Sequence, residues 1–300
     1  LGNRRFHCWK RSGHGRVDLI EAISQSCDVY FYELSQRVGI EAISAMAVRL
    51  GCGVRHELPL SGIAEGLAPT MEWKRRNRGA DWVVGDTLNA SIGQGFVLTS
   101  PLQLAVMTAR LASGRNVEPT LVRSIDGVPR RPGAAPSLGI APEPFELIHN
   151  AMWRVNNDRR GTAFGSRVVE EAYHVAGKTG TSQVRNITAE ERAAGVISNE
   201  DLPWERRDHA LYVGYAPHDA PRYAVSVVVE HGGGGAAVAA PIARDILLRA
   251  QVGDVPPPDL YPVSQRRDIE EMHRRLPLLA EPPRPSGRAA RAPGNASDRT

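Results

Sequence analysis

Several features that mark common protein classes are missing from this sequence of 300 residues. It has no uninterrupted apolar run of about 20 residues, the length that a membrane-spanning helix needs, and it does not open with a signal peptide. No block of lysine and arginine alternates with aromatic residues, so the net charge of +4 indicates a solvated basic surface and no nucleic-acid partner. Three cysteines, an odd number, argue against a complete disulfide framework.

The sequence also lacks an initial methionine and begins with residues that read as the middle of a domain. We therefore expect an N-terminally truncated fragment, whose preceding part, including any membrane anchor, is absent from this sequence. Apolar residues make up 42% of the chain, which is enough for a packed core.

Lysine is rare, and one of only three lysines, Lys178, stands between two glycines in the stretch HVAGKTGTSQV at residues 174–184. A phosphate-binding loop of the type Gly-x-x-x-x-Gly-Lys-Ser/Thr would need glycine where Ala172 stands. The residues after Lys178 favour a strand and show no helical period. The motif is therefore not a nucleotide site. A surface lysine in a tight turn is the structural alternative.

The first half of the sequence predicts helices and the second half predicts strands. Two helical segments within residues 17–39 meet at Ser26 and Asp28, and Asp28 is predicted as the N-cap of the second. Residues 209–216 and 223–230 are two strand-like runs separated by a proline-containing turn, which predicts a β-hairpin, and residues 240–250 predict a covering helix. This order predicts an α+β fold with an antiparallel sheet.

A lysine flanked by glycines on an edge strand suits a site that binds an extended peptide by strand addition. The N–H of Thr181 could stabilise an oxyanion and its hydroxyl could hold a carboxylate. Lys178 would supply positive charge, or act in proton transfer if its pKa were lowered. Ser26-Cys27-Asp28 is a candidate for the Ser-x-Asn-type triplet of serine acyl-enzymes, with helix capping as the alternative. No serine is followed by lysine three positions later, so the nucleophile motif Ser-x-x-Lys is absent from this chain.

Taken together, four segments resemble the transpeptidase domain of class B penicillin-binding proteins, in particular the elongation-specific subgroup, over residues 1–262. They are GHGRVDLIEAISQSCDVYFYELSQRVGI, SIGQGFVLTSPLQLA, HVAGKTGTSQV and the paired strands with the following glycine run at 232–235. The resemblance implies a five-stranded antiparallel sheet flanked by helices, as in serine β-lactamases. It also implies a Ser-x-Asp triplet in this subgroup and an active site between the sheet edge and the helical part. We expect the glycine run to lie beside this cleft, with a flexible linker as the alternative.

The resemblance implies specific roles for the residues of these motifs. Ser26 would belong to the proton relay, Asp28 would orient it, and Lys178 would neighbour both. The segment Thr179-Gly180-Thr181 would bind the substrate, with the two threonines on its terminal carboxylate.

The implied activity is peptidoglycan D,D-transpeptidation through a serine acyl-enzyme during cell elongation. The implied partners are peptidoglycan stem peptides, β-lactams and a membrane glycan polymerase of the elongation complex, at the periplasmic face of the bacterial inner membrane. Two alternatives stay open, a D,D-carboxypeptidase or serine β-lactamase-like hydrolase, and a non-catalytic β-lactam receptor or scaffold. No cofactor is expected for the chemistry itself.

Cys8, His14 and Cys27 lie within twenty residues and are soft metal ligands. Zinc prefers four such ligands, so the sequence predicts a structural zinc site whose fourth ligand lies upstream. Two buried free cysteines and a capping histidine are the alternative.

For domain organisation, we expect residues 1–262 to form the C-terminal portion of the transpeptidase domain. Residues 263–300 would form a tail, with a short helix followed by a disordered segment rich in proline and arginine.

Overall fold

The structure, a computed structural model, describes residues 6–130, 133–185, 187, 191 and 194–275. The disorder predicted for the end of the tail falls outside these residues. The helices are α1 (Leu19–Ser24), α2 (Asp28–Val38), α3 (Ile40–Arg49), α4 (Met71–Arg78), α5 (Val84–Ser91), α6 (Pro101–Ser113), α7 (Pro142–Asn157), α8 (Ala239–Val252) and α9 (Arg266–Arg275). The strands are β1 (Ser124–Ile125), β2 (Val128–Pro129), β3 (Ala176–Ser182), β4 (His209–Ala216) and β5 (Tyr223–Val229).

The main sheet has the order β3-β4-β5, and both pairings are antiparallel. The predicted hairpin is confirmed as β4 and β5, and the predicted strand around Lys178 is confirmed as β3. Lys178 lies opposite Val213, which in turn lies opposite Ser226. The part of the chain that the structure describes therefore contains three of the five strands that the resemblance implies, with β3 and β5 at the two edges.

Helix α8 covers the sheet through a row of small side chains. Ala239, Ala240 and Ala243 are completely buried, and they allow the helix to lie close to the strands. Leu247 and Leu248 follow in the same core, and burial of each leucine contributes about 1.5–3 kcal/mol relative to exposure. Helix α8 and strand β4 thus contribute to one hydrophobic core.

The chain between α1 and α2 makes a sharp bend at Ser26, whose φ is 56°. Helix α1 begins after Asp18, which accepts a hydrogen bond from the N–H of Glu21 as an N-cap. At the start of α2, the prediction that Asp28 is the N-cap is wrong. Cys27 occupies that position without a side-chain cap, and Asp28 is the first residue of the helix. The carboxylate of Asp28 is consequently available for other contacts.

Helix α6 begins with a pair of capping hydrogen bonds. Ser100 precedes Pro101 and accepts a hydrogen bond from the N–H of Gln103, while the side chain of Gln103 accepts one from the Ser100 N–H. This reciprocal arrangement is a capping box, and proline suits the first helical position because its missing N–H would have no partner there.

Helix α9 lies where the sequence predicts a short helix in the tail. Its Ile269 is buried in the same core as Leu260 and Tyr261, so the helix packs against the sheet domain. The domain boundary placed at residue 262 stays a prediction. Within the described residues, no helix has both the length and the apolar character needed to span a bilayer.

Candidate active site

A groove of about 1360 Å³ separates the helical part of the molecule from the free edge of β3. The bend at Ser26 and the first turn of α2 form part of one wall, and β3 together with the glycine run at 232–235 forms part of the other. Ser26, Asp28 and the segment Lys178-Thr179-Gly180-Thr181 all line this groove. The structure therefore brings together the six residues singled out for catalysis and substrate binding.

The two walls meet in a direct contact between Lys178 and Ser26. The Nζ of Lys178 donates a hydrogen bond to the Oγ of Ser26 at 2.9 Å, although the two residues are 152 positions apart in the sequence. The same ammonium group also donates to the carbonyl oxygen of Thr179 at 2.9 Å. A basic nitrogen and a hydroxyl are thus in position to exchange a proton.

The conformation of Ser26 is what turns its side chain toward the sheet. Its N–H bonds to the carbonyl of Ile23 at 3.2 Å, and the N–H of Cys27 bonds to the carbonyl of Ala22 at 2.8 Å, which closes the end of α1. A residue with a side chain adopts the left-handed region at a cost of about 1–2 kcal/mol. The surrounding contacts must offset this cost for the bend to persist.

Burial perturbs the ionisation of both charged groups in the groove. It lowers the pKa of Lys178 from 10.5 to about 8, and the nearby Asp28 carboxylate opposes this change only in part. It raises the pKa of Asp28, whereas a hydrogen bond from the N–H of Trp9 and the charge of Lys178 act in the other direction. A lysine that loses its proton near pH 8 is suited to transfer protons at physiological pH.

The free edge of β3 presents backbone groups to the groove. The carbonyl of Thr181 accepts a hydrogen bond at 3.2 Å from Nε2 of Gln94, which belongs to the helical wall. In an antiparallel strand the N–H and C=O of one residue point to the same side. The N–H of Thr181 therefore also faces the groove, where it can donate to a bound ligand.

The hydroxyl of Thr179 lies 2.7 Å from that of Thr162. The N–H of Thr162 donates to the carbonyl of Ser24 in α1 at 3.2 Å, so this residue connects the two walls at the base of the groove. Thr179 is therefore held in place, whereas the exposed side chain of Thr181 is free to turn toward a ligand.

Residues 1–248 match the penicillin binding protein transpeptidase domain. The chain belongs to this family. Among curated relatives, peptidoglycan D,D-transpeptidase MrdA of Haemophilus influenzae is 34% identical over 279 residues, which cover 89% of this chain and 42% of that protein. The chain thus spans about two fifths of the length of that relative.

Solved structures agree with this membership of the penicillin-binding protein transpeptidases. PBP2 of Pseudomonas aeruginosa, solved in complex with WCK 5153, is 37% identical with a TM-score of 0.71, and the match covers 84% of this chain and 53% of that one. PBP2 of Helicobacter pylori, solved in complex with MreC, is 30% identical with a TM-score of 0.72, over 84% of this chain and 44% of that one. The prediction of a penicillin-binding protein transpeptidase domain of the PBP2 type is confirmed.

Two glycines of this member of the transpeptidase family are required by close packing. A Cβ on Gly177 would lie 2.1 Å from the hydroxyl of Tyr212, a buried tyrosine that donates to Asn156. The missing side chain at Gly177 therefore leaves space for Tyr212 and not for a substrate. A Cβ on Gly235 would lie 2.2 Å from the carbonyl oxygen of Gly180, so the glycine run packs against β3, beside the groove as the sequence predicts.

The three soft ligands predicted from the sequence are close together beside the Ser26 bend. The ligand atoms of Cys8, His14 and Cys27 all lie within 4.8 Å of one another, and Sγ of Cys8 is 3.4 Å from Nδ1 of His14. Ligands at Zn–S and Zn–N distances of about 2.3 and 2.1 Å in a tetrahedron are separated by roughly 3.5–3.8 Å. The Cys8–His14 separation is close to this value and Cys27 lies nearby, so the three donors are suited to three corners of a tetrahedral zinc site, and the three cysteines of the chain are free thiols.

Reasoning from the sequence missed three residues of the site: Trp9, Gln94 and Thr162. A sequence pattern could have pointed to Gln94, because this residue stands between two glycines, Gly93 and Gly95. In the structure these glycines have φ values of 76° and 73° and form a tight loop. Trp9 adjoins a candidate metal ligand, which was an indirect signal. Thr162 had none, because its importance depends on a contact that only the fold creates.

Proposed function

We propose that this chain is part of a peptidoglycan D,D-transpeptidase that cross-links stem peptides during cell elongation. The observation that carries the proposal is the 2.9 Å hydrogen bond between Lys178 and Ser26 across the groove. The named relative and the PBP2 structures support this assignment through family membership.

In the proposed reaction, a serine outside this chain attacks the carbonyl carbon of the penultimate D-Ala of a stem peptide. The Thr181 N–H stabilises the negative charge that develops on the carbonyl oxygen. Ser26 and Lys178 pass the nucleophile's proton to the nitrogen of the departing D-Ala, and Asp28 orients this relay through its charge. An amine of a second stem peptide then takes the acyl group and releases the serine.

Substrate binding is assigned to the edge of β3. The stem peptide would lie along the strand, and the hydroxyls of Thr179 and Thr181 would hold its terminal carboxylate beside the charge of Lys178. The absence of a side chain at Gly180 would let the peptide approach the strand. β-Lactams, which resemble the acyl donor, would acylate the same serine.

The nucleophile and its Ser-x-x-Lys motif are assigned to a preceding part of the full-length protein. That protein would be held at the periplasmic face of the bacterial inner membrane. It would act with a glycan polymerase of the elongation complex. The complex of the Helicobacter pylori relative with MreC supports a second protein partner for the full-length protein.

We also propose that Cys8, His14 and Cys27 hold a structural zinc ion, with a fourth ligand from outside the described residues. The metal would tie the segment before α1 to the start of α2, next to the Ser26 bend. We propose that the ion is structural and that the chemistry itself requires no cofactor.

To test this proposal, the full-length wild type and its Lys178→Ala variant are labelled with a fluorescent penicillin and their labelling rates are compared. We expect labelling of the wild type and a large loss of labelling rate in the variant. Strong labelling that persists in the variant would remove Lys178 from the mechanism.

Incubation with stem peptide and an amine acceptor then separates a transpeptidase, which gives cross-linked product, from a carboxypeptidase, which releases D-Ala alone. A protein that binds penicillin without acylation is a receptor or scaffold.

A further inference from the structure

Trp9 makes three hydrogen bonds to the bend that carries Ser26. Its indole Nε1 donates to the carbonyl oxygen of Ser26 at 2.9 Å and to that of Gln25 at 3.2 Å. Its backbone N–H donates to Oδ2 of Asp28 at 2.9 Å. One residue therefore contacts the bend on both sides of the Ser26 side chain.

Burial of the Trp9 ring does not explain this position. Trp9 as a whole is 61% exposed, so much of this large aromatic residue stays in water. Its polar atoms, in contrast, are directed at groups that need partners. Carbonyls at the end of a helix lack intrahelical donors, and α1 ends just before Gln25. The contacts of Trp9 are thus mainly polar and are concentrated on the bend.

The bend is a place where such support matters. Ser26 is held in the left-handed region, which a residue with a side chain leaves unless its surroundings oppose it. The direction of its Oγ depends on this backbone conformation. If the carbonyl of Ser26 lost its donor, the peptide plane could rotate and Oγ would move away from Nζ of Lys178.

We propose that Trp9 is a positioning residue for the proton relay, acting through the backbone of Ser26 and the carboxylate of Asp28. The inference rests on the proposed function, because it concerns the relay of that reaction. It predicts that removal of the indole N–H slows the chemical step of acylation and leaves ligand binding unchanged. A role in folding alone would lower the amount of active protein without changing the rate per active site.

The proximity of the candidate zinc ligands has to be separated from this role. The Trp9 ring lies 5.6 Å from that of His14, and Trp9 follows Cys8 directly. A variant could therefore act indirectly, through loss of metal. Measuring the zinc content of each variant resolves the two possibilities.

The experiment uses the full-length protein and a fluorescent penicillin. In Trp9→Phe an aromatic ring and the backbone N–H remain, but the indole N–H donor is lost. A second variant, with benzothienylalanine at position 9, keeps the bicyclic shape and replaces the N–H by sulfur. Trp153→Phe is the matched control, because it removes an indole hydrogen bond of 3.2 Å to Nδ1 of His174, outside the groove. Rapid mixing over a range of penicillin concentrations gives the acylation rate constant and the dissociation constant separately.

We expect the acylation rate constant to fall about tenfold in both Trp9 variants, as the loss of one or two hydrogen bonds to a positioned group implies. The dissociation constant and the zinc content should stay within twofold of the wild type, and Trp153→Phe should acylate normally. Unchanged acylation in the Trp9 variants would overturn the inference while leaving the proposed function intact. A change in the dissociation constant alone, or slower acylation together with loss of zinc, would overturn it as well. Failure of the wild type to be acylated would instead reject the proposed function.

Discussion

The two walls of the groove are built in different ways. The wall formed by β3 is fixed by strand pairing along its whole length, from Ala176 to Ser182, and by the packing of Gly177 on the buried Tyr212. The wall formed by the Ser26 bend has no such ladder. It is held by side-chain contacts from Trp9 and by the cluster that includes Cys8 and His14, in a segment with little regular structure.

This difference suggests a division of tasks. The sheet supplies a backbone edge whose geometry is insensitive to single side chains, which suits peptide binding. The bend supplies a hydroxyl whose direction depends on a few individual contacts, which suits a group that must be aimed at one atom. We therefore expect substitutions in the two walls to have different effects on the protein.

The largest effect is expected where the walls meet. Lys178→Ala should lower the rate of penicillin acylation in the full-length protein by about 10²–10⁴-fold, as loss of a proton-transfer group does. Ser26→Ala should cause a similar loss, and the double variant should be little worse than either single one, because the two residues act as a unit. Lys10→Ala, which removes an exposed lysine lining the same groove, is the control. Fully additive losses would mean that Lys178 and Ser26 act separately.

Stability against pH probes Lys178 on the sheet wall. Because its pKa is lowered from 10.5 to about 8, the unfolded chain holds a proton between these pH values that the folded chain has lost. The free energy of unfolding should then rise with pH in this window, by up to about 3 kcal/mol. Urea unfolding of Lys178→Met should lack this rise, while Lys10→Met should keep it. Parallel pH profiles for wild type and Lys178→Met would contradict the buried, easily deprotonated lysine.

Metal removal probes the wall of the bend. The full-length protein should contain one zinc per chain, and Cys8→Ser should lose it, whereas Cys52→Ser should not. Free zinc at a hundred times its dissociation constant would stabilise the folded state by about 2.7 kcal/mol. Elemental analysis and thermal unfolding with and without a chelator measure both quantities. Purified protein without stoichiometric zinc would refute the site.

The smallest effect is expected from packing behind the sheet. Gly177→Ala places a Cβ against the hydroxyl of Tyr212 and should reduce the free energy of unfolding by about 2 kcal/mol, as overpacking of a tight site does. Gly165→Ala is the control, because no atom lies within 4 Å of its added Cβ. Equal stability of the two variants, measured by urea unfolding, would show that β3 can shift to accommodate the methyl group.

Much of the sheet wall could be predicted from the sequence because its signals are local. Two strand-like runs around a proline-containing turn predicted β4 and β5, and the glycines around Lys178 predicted an edge strand. The junction of two helical segments likewise placed Ser26 and Asp28 in one bend. These patterns depend on residues close in sequence, where the periods of strands and helices apply directly.

The contacts that hold the bend could not be predicted in this way. Asp28 was expected to cap α2, but the left-handed Ser26 shifts the helix start and leaves Asp28 facing the N–H of Trp9. Thr162 and Gln94 join opposite walls through contacts between distant parts of the chain. No local pattern encodes such pairs, since they exist only after the tertiary fold has formed.

The 152-residue separation of Ser26 and Lys178 also has a consequence for biosynthesis. The relay closes a very long loop, and long-range contacts form late because the entropy of loop closure must be overcome before they contribute. On the ribosome, α1 and α2 emerge well before β3, and β3 acquires its hydrogen-bonded neighbour only when β4 has followed. The cleft of a nascent chain would thus stay incomplete until β3 and β4 have paired. A ligand that requires both walls of the groove could therefore bind only after this part of the chain has been synthesised and folded.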